Sequence, residues 1–221
     1  MSGTQFAGTM PVSERQRFDV AALQRYLSAH LPGFRGPLQV EQFRGGQSNP
    51  TFLLSTDDGA RYVLRRKPVG ALLPSAHAVD REFRVTRALY GSAVPVAQPL
   101  LLCEEPGVIG TMFYLMRYVA GRNFWDPTLP ELSAAERGAI YDEMNRVMVA
   151  LHTLDYGALG LGDYGKPGSY FARQIGRWSK QYRASQTEHI EAMEKLLAWL
   201  PANIPAGEET TLVHGTTAST T

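Results

Sequence analysis

Two short stretches hold the residue types that could do chemistry: Gly45-Gly46-Gln47-Ser48-Asn49, and the cations Arg65-Arg66-Lys67. The two glycines lack a Cβ, so backbone N–H groups in that stretch can come close to an anion. The surrounding residues, Gln39–Lys67, read as three short strands. Gln39–Phe43 and Thr51–Ser55 flank the polar loop Arg44–Pro50, and the tight turn at Asp58-Gly59 leads into Arg61–Lys67. Alternation on the third strand puts Val63, Arg65 and Lys67 on one face, an apolar position followed by two cations. An N–H-rich loop beside such a strand could fold over a polyphosphate. The same residues also make an ordinary antiparallel meander with a polar hairpin loop and a solvated basic strand end. The elements around them have to decide.

Residues Met1–Arg17 are polar and aperiodic, and read as a loose arm. Phe18–Leu31 reads as a helix, with Val20, Leu23, Leu27 and Leu31 at helical spacing and Asp19 near its start. After the Pro- and Gly-bearing loop Pro68–Ala76, a second helix spans Ala78–Tyr90. Its broad apolar face is Val79, Phe83, Thr86, Leu89 and Tyr90. Glu82 sits at the edge of that face, as a solvated flank or as a partner for a cation on the preceding strand. Leu100–Cys103 starts a fourth strand, Glu105-Pro106-Gly107 is a turn, and Thr111–Val119 is a fifth strand.

Beyond Gly121 the chain reads as helical. Ser133-Ala134-Ala135-Glu136 is a capping box, opening a helix whose stripe of Ile140, Met144, Val147, Met148 and Leu151 is explained by core packing. The glycine-rich segment Gly157–Gly168 leads to a helix at Ser169–Ala184. A last helix, Thr187–Leu200, stops at Pro201, and Thr211–His214 reads as a short strand.

Composition excludes several classes. A chain of 221 residues with 44% hydrophobic and 19% charged residues can bury a core in one large or two small domains. Its net charge of +1 gives no electrostatic footprint for nucleic acid or an anionic membrane. Cys103 is the single cysteine, which rules out an internal disulfide or a cysteine-based zinc site. No apolar run approaches a membrane span, and a reducing cytoplasm is the simplest location. His30, His77, His152, His189 and His214 are dispersed without an H-E-x-x-H pair, and read as surface or ordinary packed residues. Neither G-x-S-x-G nor a P-loop is present.

A glycine loop, a cationic strand, a helix with a glutamate, a five-stranded sheet and then a helical region together resemble the eukaryotic-like kinases. More closely, the chain is similar to the aminoglycoside phosphotransferase and choline kinase group. Within it, the likeness is to phosphotransferase domains found alone in bacteria or fused to acyl-CoA dehydrogenase domains. The resemblance is carried by FRGGQSNPTF (Phe43–Phe52), YVLRRKPVGALLPSAHAVDREFRV (Tyr62–Val85) and VIGTMFYLMRYVAGRNF (Val108–Phe124). LSAAERGAIY (Leu132–Tyr141), ALHTLDY (Ala150–Tyr156) and LVHG (Leu212–Gly215) complete it.

The resemblance implies an α+β, protein kinase-like two-lobe fold. A five-stranded antiparallel N-lobe sheet would occupy 18–118 and an incomplete helical C-lobe 119–215, with the arm at 1–17 and a tail at 216–221. It further implies an ATP- and Mg²⁺-dependent kinase that phosphorylates a hydroxyl of a small molecule. The acceptor is expected to be a hydroxyacyl compound in preference to an aminoglycoside. Gly45, Gly46, Gln47, Ser48 and Asn49 would cover the phosphates. Arg65, standing where kinases carry a lysine, would hold α/β-phosphate oxygens with its planar fork. Glu82 would keep Arg65 aimed. Val63, Met116 and Tyr118 would serve the adenine, with Met116–Val119 as the hinge. Tyr170, Arg173, Trp178 and Tyr182 would contribute acceptor contacts.

One segment departs from the family. His214 begins what the family continues as His-Gly-Asp, three variable residues and Asp-Asn, which supply the base and a metal ligand. Here Gly215 is followed by Thr-Thr-Ala-Ser-Thr-Thr, so no metal ligand is assigned. Back-translated as ACT ACC GCC TCG ACA ACC with one G placed ahead, that tail reads Asp-Tyr-Arg-Leu-Asp-Asn. The expectation is therefore a one-nucleotide loss after the Gly215 codon and a chain without turnover as written. The alternative reading is a non-catalytic, nucleotide- or partner-binding pseudokinase fragment.

Overall fold

The computed structural model describes residues 8–44, 49–70, 77–124, 126–207 and 209–214. Six strands form one antiparallel sheet: β1 (Thr9–Pro11), β2 (Leu38–Phe43), β3 (Thr51–Thr56), β4 (Arg61–Arg66), β5 (Pro99–Cys103) and β6 (Phe113–Arg117), in the order β1-β2-β3-β4-β6-β5. The sheet therefore has six strands where the sequence predicts five. The addition comes from the expected loose arm: Thr9 lies opposite Phe43, and Pro11 opposite Glu41. A three-residue strand shows no periodicity to read, and its proline is tolerated because β1 is an edge. Side chains fasten it, with Thr9 Oγ1 donating to Glu41 Oε1 at 2.9 Å and Arg44 Nε donating to the Thr9 carbonyl at 3.2 Å.

Alternation along β4 sorts the two faces of the sheet. Tyr62 and Leu64 join Phe52 and Leu54 of β3 and Phe113 and Leu115 of β6 on one face. Helix α1 (Val20–His30) covers that face with the fully buried Leu23 and Leu27. Fully burying such a side chain contributes about 1.5–3 kcal/mol. The helix begins after Asp19, whose Oδ1 accepts from the Ala22 N–H at 2.9 Å. Phe18 is left outside the helix to pack edge-on against Phe52, with ring centroids 5.2 Å apart. Arg66 points into this same core and is fully buried. Its Nη2 donates to the Gln16 carbonyl at 3.0 Å and to Gln16 Oε1 at 2.8 Å, and its Nη1 to the Ile109 carbonyl at 3.5 Å. The rings of Phe18 and Phe52 flank the guanidinium at 5.2 and 5.3 Å. Burial draws its pKa below the usual arginine range.

The expected turn at Glu105-Pro106-Gly107 is a one-turn helix, α3 (Pro106–Ile109), because Pro106 fits the first helical position and Gly110 closes it at φ 86°. Helix α2 (Val79–Leu89) lies on the opposite sheet face. Helix α4 (Ala134–His152) starts from the expected capping box: Ser133 Oγ accepts from the Glu136 N–H at 3.3 Å, and Glu136 Oε2 accepts from the Ser133 N–H at 2.9 Å. The α4 stripe is half-buried where packing into a core was expected.

The chain divides into two compact units, Met1–His152 with Val213–Thr221, and Thr153–Leu212. The second carries α5 (Tyr170–Ser185) and α6 (Glu191–Ala202). Pro201 sits inside the last turn of α6 and does not stop it, since a proline there forfeits a single helical hydrogen bond. Residues 211–214 form no strand. Among the described residues, no helix is long and apolar enough to cross a membrane.

Candidate functional site

The sheet face opposite the α1 core carries Thr51 and Leu53 of β3, Val63 and Arg65 of β4, and Tyr114 and Met116 of β6. Helix α2 rests on it through Val79 and Phe83, one turn apart, which pack with Tyr114 and, around them, Leu102, Met112 and Met116. Glu82 lies three residues after Val79 and so shares the inward side of α2. The apolar anchors of the helix thus deliver a carboxylate to the one strand that offers a cation on this face.

A ring of hydrogen bonds results. Arg65 Nε donates to Glu82 Oε2 at 3.0 Å, and Arg65 Nη2 to Glu82 Oε1 at 3.4 Å. Asn49 Nδ2 donates to Glu82 Oε1 at 2.7 Å, and the Tyr114 hydroxyl to Glu82 Oε2 at 3.2 Å. Thr51 Oγ1 accepts from Arg65 Nη1 at 3.4 Å and donates to the Asn49 carbonyl at 3.0 Å, which closes the ring. Burial raises the Tyr114 phenol well above its ordinary range; Arg65 opposes this and Glu82 adds to it. Tyr114 therefore stays a hydroxyl donor. Side chains of Arg65 and Glu82 are 29% and 35% exposed, so their ion pair is screened and adds only modestly to stability. What it fixes is direction: a carboxylate with four donors cannot swing away, and neither can the guanidinium fork on it. Two residues earlier on α2, Asp80 Oδ1 lies 3.5 Å from Lys67 Nζ.

Of the expected site residues, Gly45, Gly46, Gln47 and Ser48 lie outside the described residues. Asn49 is 3% exposed, its amide engaged by Glu82 and His77. Val63 and Met116 are direct neighbours across the β4–β6 ladder, and Leu53 lies opposite Val63 on β3. Tyr118 follows β6; its N–H donates to the Arg61 carbonyl at 3.2 Å, and the Arg61 guanidinium stands 4.4 Å over its ring. His214 belongs to another contact, its Nδ1 2.9 Å from His152 Nε2 with the rings nearly parallel. Arg173 donates to the Gly168 and Lys166 carbonyls, tying the loop ahead of α5; Tyr170 and Trp178 are exposed.

Three participants were not singled out from the sequence. Tyr114 was legible, since alternation places it with Met116 and a lone hydroxyl in an apolar strand needs a partner. Thr51 follows from its position opposite Arg65. His77, expected to be a surface or ordinary packed residue, gives no such signal, because 28 residues separate it from Asn49. Among the described residues no group of three or more His, Cys, Asp or Glu could hold a metal ion.

The sequence profile of the phosphotransferase enzyme family (APH) matches residues 39–216. The chain belongs to this family. Rat acyl-CoA dehydrogenase family member 11 is 48% identical over 212 residues, which is 94% of this chain and 27% of that protein. Mouse acyl-CoA dehydrogenase family member 10 is 47% identical over 208 residues, 94% of this chain and 19% of that protein. The chain thus spans about a quarter or less of these curated relatives. A crystal structure from Ralstonia eutropha JMP134, described as an aminoglycoside phosphotransferase, shares 56% identity at a TM-score of 0.74, covering 86% of this chain and 55% of that one. The GDP complex of aminoglycoside 2'-phosphotransferase-IIIa has the same fold at 14% identity and a TM-score of 0.54, over 83% and 58% of the two chains. The family is one of phosphotransferases built on a kinase-like fold.

Proposed function

We propose that this domain binds ATP on the α2 face of the sheet and, in its catalytic context, serves transfer of the γ-phosphate to the hydroxyl of a hydroxyacyl compound. The observation that carries the nucleotide reading is the Arg65–Glu82 pair inside its closed ring of hydrogen bonds. A guanidinium held this way presents fixed N–H donors for phosphate oxygens, and fixed donors lose little freedom when the anion arrives. Val63 and Met116, adjacent across the ladder, give the apolar wall on which a purine ring can lie. The acyl acceptor is supported by the acyl-CoA dehydrogenase relatives. Thr216 stands where the family's His-Gly-Asp motif places the catalytic aspartate, so this polypeptide is expected to hold nucleotide without turning it over.

Calorimetry of the 221-residue chain with ATP and with adenosine tests the reading. ATP binding that weakens at least tenfold in Arg65→Ala, with adenosine unaffected, is the expected result. Equal affinities for ATP and adenosine would reject it. Conversion of ATP to ADP with phosphorylation of a hydroxyacyl-CoA by this polypeptide would overturn the absence of turnover.

A further inference from the structure

The Asn49–His77 contact lies outside everything the phosphotransferase reading assigns. Asn49 Nδ2 is committed to Glu82, so its Oδ1 is the acceptor, and His77 Nδ1–H is the donor at 3.0 Å. His77 holds φ at 58°, a conformation uncommon for a residue with a side chain. It stands immediately before Ala78, the N-cap of α2, which provides no side-chain cap. The His77 carbonyl accepts from the Val79 N–H at 2.9 Å, and the Ala78 carbonyl from the Glu82 N–H at 3.1 Å. The unusual backbone at His77 is thus what turns the imidazole toward Asn49 while the chain enters the helix. Asn49 is buried, and both ends of its amide are spent on this connection.

We propose that Asn49 and His77 form a clasp that positions Glu82, and through it Arg65, for phosphate recognition. Neither side chain touches the phosphate in this account: Asn49, expected from the sequence to cover the phosphates, has both ends of its amide engaged by Glu82 and His77 and acts with His77 as a positioning residue. The inference rests on the nucleotide reading above. Without His77 the Asn49 amide can rotate, one of the four donors to Glu82 is lost, and the carboxylate gains room to move off the Arg65 fork. The apolar wall at Val63 and Met116 is left as it was.

Two substitutions at His77 separate the hydrogen bond from the backbone. His77→Gly removes the imidazole and accepts a positive φ without strain. His77→Asn also tolerates that φ and places an amide N–H near the Nδ1 position. Affinities for ATP and adenosine are measured by calorimetry on the 221-residue chain and on His77→Gly, His77→Asn and Asn49→Ala. ATP affinity should fall five- to tenfold in His77→Gly and Asn49→Ala, return to within twofold in His77→Asn, and adenosine affinity should hold throughout. The double variant should lose no more than the worse single one. Unchanged ATP preference in His77→Gly and Asn49→Ala overturns the clasp alone. An unmodified chain that does not prefer ATP over adenosine overturns the nucleotide reading, and the clasp's role with it. Equal losses for both ligands reduce His77 to a structural residue and overturn the proposal.

Discussion

The sheet and the later helices solve burial differently. Strands β3, β4 and β6 with α1 enclose side chains that are fully out of water, Leu23, Leu27, Phe52, Leu64 and Phe113 among them. Helices α4, α5 and α6 bury no residue, and Trp178 and Trp199 are 59% and 57% exposed. The sheet closes its core because α1 covers one face and α2 the other, and each alternating strand serves both. A helix shows one stripe and stays half wet until something lies along it. Stability in these 221 residues is therefore concentrated in the sheet, and so is the candidate site.

The sharpest way to break this contrast is to cut the two regions equally. Phe52→Ala should cost about 3–5 kcal/mol in denaturant unfolding, whereas Trp178→Ala should stay within about 0.5 kcal/mol. Comparable losses would mean that the helices bury more in solution than their exposure indicates. Next in size is Arg66→Lys, expected to cost about 2 kcal/mol. A lysine keeps the charge but cannot lie flat between Phe18 and Phe52 while reaching two carbonyls.

Ser133→Ala removes the cap of α4 and should lower stability by about 1 kcal/mol, with loss of helical signal confined to residues near 134–140. Smallest is a pH effect. Hydrogen bonds from Ser133 hold the Glu136 carboxyl below the usual range. A depressed folded-state pKa stabilises above the unfolded carboxylate value, near 4.3, and that contribution disappears as pH falls through the lower folded-state value. Glu136→Gln should therefore lower stability slightly at neutral pH, flatten the acid limb of the stability curve below about pH 4, and converge with the unmodified chain at low pH.

Strand alternation put Val63 and Arg65 on one face before any coordinates, whereas Met116 as part of the hinge and Glu82 as the partner of Arg65 came from the family resemblance, the helix face alone leaving Glu82 as a solvated flank or a cation partner. The capping box of α4 was equally plain. What the sequence hid are features with no period. β1 is three residues long and exists because Glu41 and Arg44 hold Thr9. His77 meets Asn49 through a backbone conformation that no residue type announces. The α4 stripe has the spacing of a core helix, yet spacing states only what a face could bury, not what lies opposite it.

Arg65 and Arg66 are consecutive, chemically identical and 29% and 0% exposed in their side chain and whole residue, respectively. That makes the pair an internal reference for chemical footprinting. An arginine-selective dicarbonyl reagent should modify Arg65 in the free protein, slow down there when a nucleotide binds, and reach Arg66 only when the Phe18 side of the sheet opens. Peptide mapping of these two neighbours would report occupancy of one face and unfolding of the other from a single digest.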